Sequence, residues 1–469
     1  MAVSGKDFFT NMADNKWIEI PVETGVITFD SGRFYQTPPG YNGHVNITID
    51  FKNRKILQYG NDIHGWRWDE SNFNVMRIFD MENLQWDVSH MPDTITDFTF
   101  KDLGIKNGIS YWVPISKNGH PVPAHTFDGV RYIPGTDYCM LTYNALHTYY
   151  SFFQSAADSA FLTSSHSVVE QQSCWLYNTV TKKWSDLNVL EQEPPNTFSS
   201  TTVWDSRRER LISLSLDMGC GLTPYTYDLS TKRWSVIPDA PRFGLGLWDF
   251  SGEYDPVQDR IYVYGTWSNG VFFEIDPETF AFRRLDTLSM LQPPRSSAYT
   301  SYDTLNHCML LAAAENQTWA YSSLTQEWNN LNIPLPAQIS SVGMAMSMDY
   351  DPVTNIHFIL GCPGSQARLW ALKYRPIQTK HENKMQKNNL KLSVNNLSTQ
   401  YVKFIIANAD EIVNSKVKIY NPQGRLIKEI ILERDGSGIW NLSKTSNGIY
   451  IARCKINNIE IVRLFPVMK

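Results

Sequence analysis

One pattern recurs along most of this 469-residue chain: an aromatic residue and Asp at a turn, a strand, a gap, a second strand, an Asp-like residue with a Thr-rich turn, then Trp. Such self-similarity restricts the fold more than composition does, because each copy is one supersecondary unit that buries its faces only against neighbours. The clearest copy is TTVWDSRRERLISLSL with YTYDLSTKRWSVI. It is followed by GEYDPVQDRIYVYG with FFEIDPETFAFRRL, by TSYDTLNHCMLLAA with TWAYSSLTQEWNNL, and by SMDYDPVTNIHFILG with LWALKYRP. Two earlier copies are VNITIDFKNRKILQYG with VMRIFDMENLQWDV, and GVRYIPGTDYCMLTY with CWLYNTVTKKWSDL. The turn positions are Asp50, Ile133, Asp205, Asp255, Asp303 and Asp351, the last four separated by 50, 48 and 48 residues.

A period near this value, with four short strands per unit, predicts the blades of a β-propeller. The abundance of aromatic residues (15 Trp, 23 Tyr, 23 Phe), with 26 Gly and 24 Pro, fits an all-β chain with many turns. On these residues the repeat resembles the kelch family, with at most one Gly after the second strand (Gly60, Gly265, Gly361) where that family carries two. Six blades can be counted; a seventh, degenerate blade between Asp87 and His125 is the alternative. The sixth copy lacks its Trp strand after LWALKYRP, and NKWIEIPV around Trp17 reads like KRWSVIPD around Trp234. The N-terminal strand is therefore expected to complete the last blade and close the ring, which removes exposed sheet edges.

Residues 377–389, IQTKHENKMQKNN, are polar and read as a linker between a propeller over 1–376 and a second domain over 390–469. The second domain shows alternating strands with turns at Pro422–Gly424, Asp435–Gly438 and Asn447–Gly448, the pattern of an Ig-like β-sandwich. Its stretch VKIYNPQGRLIKEI, the SNGIYI turn and the final hairpin resemble the C-terminal sorting domain of the bacterial type IX secretion pathway. That resemblance implies export to the cell surface or medium and a partnership with secretion machinery. The N-terminus, MAVSGKDFFTNMADNKW, has no apolar signal core, so the expectation is a leader already removed or replaced.

Composition excludes several classes. A net charge of −5 does not recruit a polyanion by bulk attraction, so nucleic-acid binding is not expected. No apolar run of about 18 residues is present, so no membrane-spanning helix is expected. The six cysteines (Cys139, Cys174, Cys220, Cys308, Cys362, Cys454) are scattered without a Cys-x-x-Cys pair, which excludes a disulfide scaffold and a thiolate zinc site. Cys139 and Cys308 sit in apolar runs and read as buried free thiols.

Function should gather where the repeat is interrupted. Three long insertions, 60–74, 87–124 and 143–172, all fall at connections expected on one face, over adjacent blades. They carry His64, Trp66, Trp68, His90, Tyr111, Trp112, His120, His147, Tyr149, Tyr150 and His166. The His-Gly-Trp-Arg-Trp cluster at 64–68 reads equally as a sugar-stacking platform or as loop packing. The proline-rich connectors align Asn42, His125, Thr197, Arg242, Arg295 and Gln338 at the starts of the inner strands, around the expected channel mouth. Arg242, Arg295 and His125 could converge there on an anionic ligand; the competing reading bonds both arginines to carbonyls of neighbouring blades. His44, His125 and His147 lack a helix-borne metal spacing, so no metal and no cofactor is expected. No nucleophile elbow or phosphate loop is present, and the copper centre of galactose oxidase, a kelch relative, has no residue-by-residue counterpart.

These readings lead to a secreted or cell-surface propeller that binds an acidic, uronate-containing polysaccharide and cleaves it by β-elimination. In that mechanism Arg242 or Arg295 neutralises the carboxylate, His125 or His147 takes the C5 proton, and Tyr149 protonates the leaving oxygen. Asn42, His64, Trp66, Trp68, Tyr111 and Trp112 complete the expected substrate contacts. The alternative is a non-catalytic adhesion or scaffold module that uses the same face to bind glycan or protein.

Overall fold

A computed structural model of the chain describes residues 4–22, 24–29, 34–37, 46–60, 74–94, 97–106, 109–121, 126–142, 174–186, 200–216, 222–237, 250–265, 271–286, 293, 299–313, 316–337, 339, 346–361, 367–376, 391–396, 401–407, 415–422, 424–433, 437–456 and 459–467. The described residues are almost entirely β, with one short helix at Gly5–Thr10. The chain divides into two compact units, one of residues 1–303 and 307–374, the other of residues 375–469 with 304–306. Among the described residues no helix is long and apolar enough to cross a membrane.

Among the described residues the first unit contains six four-stranded antiparallel sheets, an arrangement compatible with a propeller-like fold. Strands Ile47–Asp50, Lys55–Gln58, Arg77–Asp80 and Gln85–Val88 form the first, and Val130–Tyr132, Tyr138–Leu141, Trp175–Asn178 and Lys183–Asp186 the second. The third holds Ser200–Asp205, Arg210–Leu216, Leu222–Asp228 and Arg233–Val236. The fourth holds Phe250–Asp255, Arg260–Gly265, Val271–Ile275 and Phe282–Arg284. The fifth is Tyr299–Asp303, Cys308–Ala313, Gln317–Ser322 and Glu327–Pro334. The sixth combines Met346–Asp351, Ile356–Gly361 and Arg368–Leu372 with Trp17–Glu19 from the other end of the chain, Trp17 lying opposite Leu372. Between Asp87 and His125 the described residues form one two-stranded hairpin, Phe98–Lys106 with Ile109–Ser116.

The repeat signature has a local cause. Asp50, Asp205, Asp255 and Asp351 each accept a backbone N–H two or three residues ahead, closing the turn between first and second strands. Asp80, Asn178, Asp228 and Asp276 do the same between third and fourth strands. The last residue of these turns is left-handed, with φ between 51° and 58° at Arg54, Glu209, Asp259, His307 and Asn355, and at Leu84, Lys182, Lys232, Phe280 and Gln326. Four-residue hairpin loops built on a type I turn need that conformation to reverse the strand.

The core lies between successive sheets, so both faces of many strands are buried: Phe250–Asp255 and Ile356–Gly361 are buried at every position. Ile47, Ile49, Phe79 and Trp86 of the first sheet pack with Phe358, Leu360 and Leu369 of the sixth. Trp17, Ile359 and Trp370 of the sixth pack with Leu310 and Tyr299 of the fifth. An aromatic pair recurs across the third and fourth strands: Phe79–Trp86, Tyr177–Trp184, Tyr227–Trp234 and Tyr321–Trp328, with ring centroids 4.8–5.3 Å apart. Hydrogen bonds join the inner strands of neighbouring sheets, Tyr132 N to Thr48 Oγ1, Arg131 Nε to the Thr202 carbonyl, Gly252 N to Thr201 Oγ1, and Ile49 N to Asp349 Oδ2. The N-terminal helix touches two sheets: Phe9 meets Phe358 edge-on, and Gly5 N donates to the Glu82 carbonyl. A Cβ at Gly5 would lie 1.7 Å from the Met81 carbonyl oxygen, so only glycine permits this approach.

The second unit has a three-stranded sheet (Lys391–Asn396, Tyr401–Ala407, Ser437–Asn441) and a four-stranded one (Lys416–Tyr420, Leu426–Ile431, Gly448–Ile456, Ile459–Val467). Leu392, Val402, Phe404 and Trp440 from the first share one core with Val417, Ile419, Tyr450 and Phe465 from the second. Residues 377–389 lie outside the described residues.

Candidate functional site

Antiparallel order puts the turns after the first and third strands at one end of each sheet, and all other connections at the opposite end. The second set includes every long insertion. Two polar clusters stand out among the described residues: one beside the first sheet at that end, the other buried among the inner strands.

The first cluster forms where the chain leaves the first sheet at Val88 and returns through the hairpin 98–116. Phe98 pairs with Ser116, and Lys117 N donates to the Asp97 carbonyl, so segments 89–94 and 117–121 are brought together. His90, Asp93 and His120 meet there, each offering a ligand atom within 4.8 Å of the others. His120 Nδ1 lies 2.8 Å from Asp93 Oδ2. Asn118 Nδ2 donates to Asp93 Oδ1 (2.6 Å), and Asn74 Nδ2 to Asp93 Oδ2 (2.8 Å). His90 stacks on His120 with ring centroids 3.5 Å apart, and its Nδ1 lies 2.6 Å from Ser89 Oγ. Its Nε2 is buried and has no hydrogen-bond partner.

Electrostatics follow from these contacts. Burial, then the neighbouring His120, pushes His90 down to about 3, so it is neutral at physiological pH. Burial alone would raise Asp93, but hydrogen bonds from His120, Ser116, Asn74 and Asn118 outweigh it and hold the carboxyl below the usual carboxylate range. Two imidazoles and an ionised carboxylate form a donor set suited to a divalent transition metal.

The second cluster gathers Asp128, Arg131, Glu253 and Asp349 from the inner-strand segments of the second, fourth and sixth sheets. Arg131 lies 3.4 Å from Asp128 Oδ1 and 3.6 Å from Asp349 Oδ1, and its Nε donates to the Thr202 carbonyl at 2.7 Å. Asp128 also accepts from the Asn46 amide, the Thr201 hydroxyl and Gly252 N. Glu253 Oε1 is buried without a hydrogen-bond partner. Burial raises Asp128 to about 6 against the opposing pull of Arg131, and raises Asp349 and Glu253 as well. Burial would lower the Arg131 guanidinium, but Glu253, Asp128 and Asp349 outweigh it, so the cation is reinforced. Three buried carboxyls, each pushed towards its neutral form, thus surround one buried guanidinium.

A third arrangement looks catalytic and is sealed. Ser301 Oγ lies 2.7 Å from His357 Nδ1, and His357 Nε2 lies 3.2 Å from Asp303 Oδ2, in the order of a hydrolase triad. All three residues have 0% exposure, so no substrate reaches the hydroxyl, and the row ties the fifth sheet to the sixth.

The residues expected from sequence to do chemistry lie mostly outside the described residues: Asn42, His44, His64, Trp66, Trp68, His125, His147, Tyr149, Tyr150, His166, Thr197, Arg242, Arg295 and Gln338. Tyr111 and Trp112 are on the strand Ile109–Ser116, opposite Gly104 and Asp102, and their side chains lie outside the described set. Of the eleven insertion residues, the structure brings together His90 and His120. Asp93, the third member, went unnoticed in the sequence; the signal was the hairpin pattern between Phe98 and Ser116, which returns the chain to its start. The inner charges were legible by a different alignment. Counting two residues back from each turn position gives Thr48, Arg131, Val203, Glu253, Ser301 and Asp349, which places three charged residues in one register. Cys139, Cys174, Cys308 and Cys454 are buried free thiols.

No protein-family profile and no curated protein matches this chain. Among solved structures, it is similar to a structural genomics protein of unknown function from Bacteroides thetaiotaomicron VPI-5482, at 10% identity over 76% of this chain and 75% of that one, with a TM-score of 0.41. So loose a likeness identifies neither a family nor an activity.

Proposed function

We propose that the first unit is a six-bladed, kelch-like propeller closed by its N-terminal strand, and that it binds a polysaccharide at the end of the sheets carrying the long connections. The observation that carries this reading is the asymmetry between the two ends. One end is built from short turns, most of them Asx-capped, while the long connections leave strands Lys55–Gln58, Gln85–Val88 and Tyr138–Leu141 at the other. Rigid scaffolds concentrate recognition in such connections. The pairing of Trp17–Glu19 with Arg368–Leu372 and the bonds from Ile47 N to Ser347 and from Ile49 N to Asp349 support closure. The second unit is proposed to be a type IX-like sorting domain, which would deliver the propeller to the cell surface or medium.

Within this proposal, the non-catalytic glycan-binding module is the simpler form, since it asks only for recognition by the long connections. Cleavage of a uronate polysaccharide by β-elimination is the stronger form. It calls on Arg242 or Arg295 to neutralise the uronate carboxylate, on His125 or His147 as base, and on Tyr149 as acid. Affinity electrophoresis of the full chain against neutral and uronate-containing polysaccharides tests both forms. Retardation without ultraviolet absorbance from an unsaturated product is expected for the binding module. Absorbance growing with time would establish the lyase, and no retardation by any glycan would sink the proposal.

A further inference from the structure

We propose that His90, Asp93 and His120 form a binding site for one divalent transition-metal ion of the zinc type. The three donors come from segments on either side of one hairpin, and their ligand atoms all lie within 4.8 Å of one another. Zinc binds imidazole nitrogen and carboxylate oxygen at about 2.0–2.2 Å, which puts ligand atoms around a tetrahedral ion roughly 3.3 Å apart. The 2.8 Å separation of His120 Nδ1 and Asp93 Oδ2 is already close to one edge of that tetrahedron. The remaining pairs lie within 4.8 Å and would draw in by at most about 1.5 Å on binding.

Two observations set this cluster apart from an ordinary surface pair. His90 Nε2 is buried with no hydrogen-bond partner, although an unpaired buried polar group is costly. A coordinated cation would satisfy it. The partners around the cluster also fit the outer layer of a metal centre: Ser89 Oγ engages His90 Nδ1 and leaves Nε2 as the coordinating nitrogen, while the amides of Asn74 and Asn118 orient the Asp93 carboxylate. Two imidazoles with one carboxylate select zinc, cobalt, nickel or copper over calcium and magnesium, which need more oxygen ligands. Three protein donors leave a fourth position for water or a ligand oxygen. The competing account is a hydrogen-bonded clasp holding 89–94 to 117–121, in which the Asn74 backbone also faces the His90 ring.

The test uses the full chain without a polyhistidine tag, stripped with chelator and equilibrated with Zn²⁺ or Co²⁺. The expected result is one bound Zn²⁺ per chain by mass spectrometric metal analysis, with intense visible Co²⁺ bands of tetrahedral coordination. His90→Gln should abolish stoichiometric binding, and Asn118→Ala should weaken it by about tenfold. Less than one equivalent on the folded wild-type chain, or one equivalent retained by folded His90→Gln, would overturn the proposal. If the variant fails to fold, Zn²⁺-dependent shifts of the His90 and His120 ring nitrogens in the wild-type chain decide the matter, and unshifted resonances refute the site.

Discussion

At the end of the sheets where first strands turn into second strands, Asp50, Asp205, Asp255, Asp303 and Asp351 are all fully buried, and four of them close their turns onto backbone N–H groups. At the opposite end the same sheets are joined by connections that share neither length nor composition, and the His90–Asp93–His120 cluster lies at that end, while the inner charges sit two residues before the turn positions. The difference teaches where each kind of information sits. A capped turn is a local solution that works in any sheet, so it can be copied along the chain. A cluster such as His90–Asp93–His120 or Asp128–Arg131–Glu253–Asp349 depends on what other segments happen to present.

The sharpest way to break the equivalence of the six sheets is to attack the one assembled from both ends of the chain. Trp17 is buried, lies opposite Leu372, and donates its indole N–H to Thr318 Oγ1 at 2.9 Å. Deleting residues 1–20, or replacing Trp17 with Ala, should cost about 3–5 kcal/mol in calorimetric or denaturant unfolding. An unchanged melting temperature would mean that the sixth sheet does not need its fourth strand.

Charge buried at the inner strands should make stability depend on pH in a direction the short turns do not. Asp128 titrates at about 6 in the fold against 3.8 ordinarily, so the folded chain holds this proton more tightly. Its contribution is therefore fully present below about pH 4 and is lost as pH rises through 6. His90, pushed down from 6.5 to about 3, acts with the opposite sign across the whole of that window. The informative quantity is thus the difference between wild type and Asp128→Asn, with the wild-type advantage expected to grow as pH falls from 6 towards 4. A pH-independent difference in melting temperature would refute the assignment.

The turn end should respond to local edits alone. Asp205 caps Arg207 N and Arg208 N and pairs with the side chains of Arg208 and Arg210, so Asp205→Ala should cost about 2 kcal/mol. The equivalent change at the exposed cap Asp228 should shift the melting temperature less; equal shifts would show that burial of the cap does not matter. The smallest effect is a gain. Gln326 is exposed at φ 58°, where glycine is unstrained, so Gln326→Gly should stabilise by about 0.5–1 kcal/mol. Destabilisation would show that its side chain has a role beyond the turn.

Much of the strand pattern was legible because it is local. The spacing of Asp205, Asp255, Asp303 and Asp351 located the hairpins, and the likeness of the segments around Trp17 and Trp234 marked Trp17–Glu19 as a fourth strand lacking its neighbours. The site was less legible. The insertions holding His90 and His120 were recognised as departures from the repeat, yet their pairing with Asp93 depends on how Phe98–Lys106 and Ile109–Ser116 register, and neither histidine carries a spacing that betrays it.

By itself, then, the sequence determined the elements whose geometry is settled within a few residues: the Asx-capped turns, the strands between them, the buried thiols at Cys139 and Cys308, and the aromatic positions that face neighbouring strands. Only the tertiary structure decided which charges meet. Arg131 lies more than a hundred residues from Glu253 and Asp349 in the chain, and Ser301 is 56 residues from the His357 imidazole that it touches. A hydrogen bond within a turn is fixed by short-range sterics, whereas a buried ion cluster forms where separate sheets bring side chains together. The repeat register marks their common height, but only the packing of the sheets decides which of them touch.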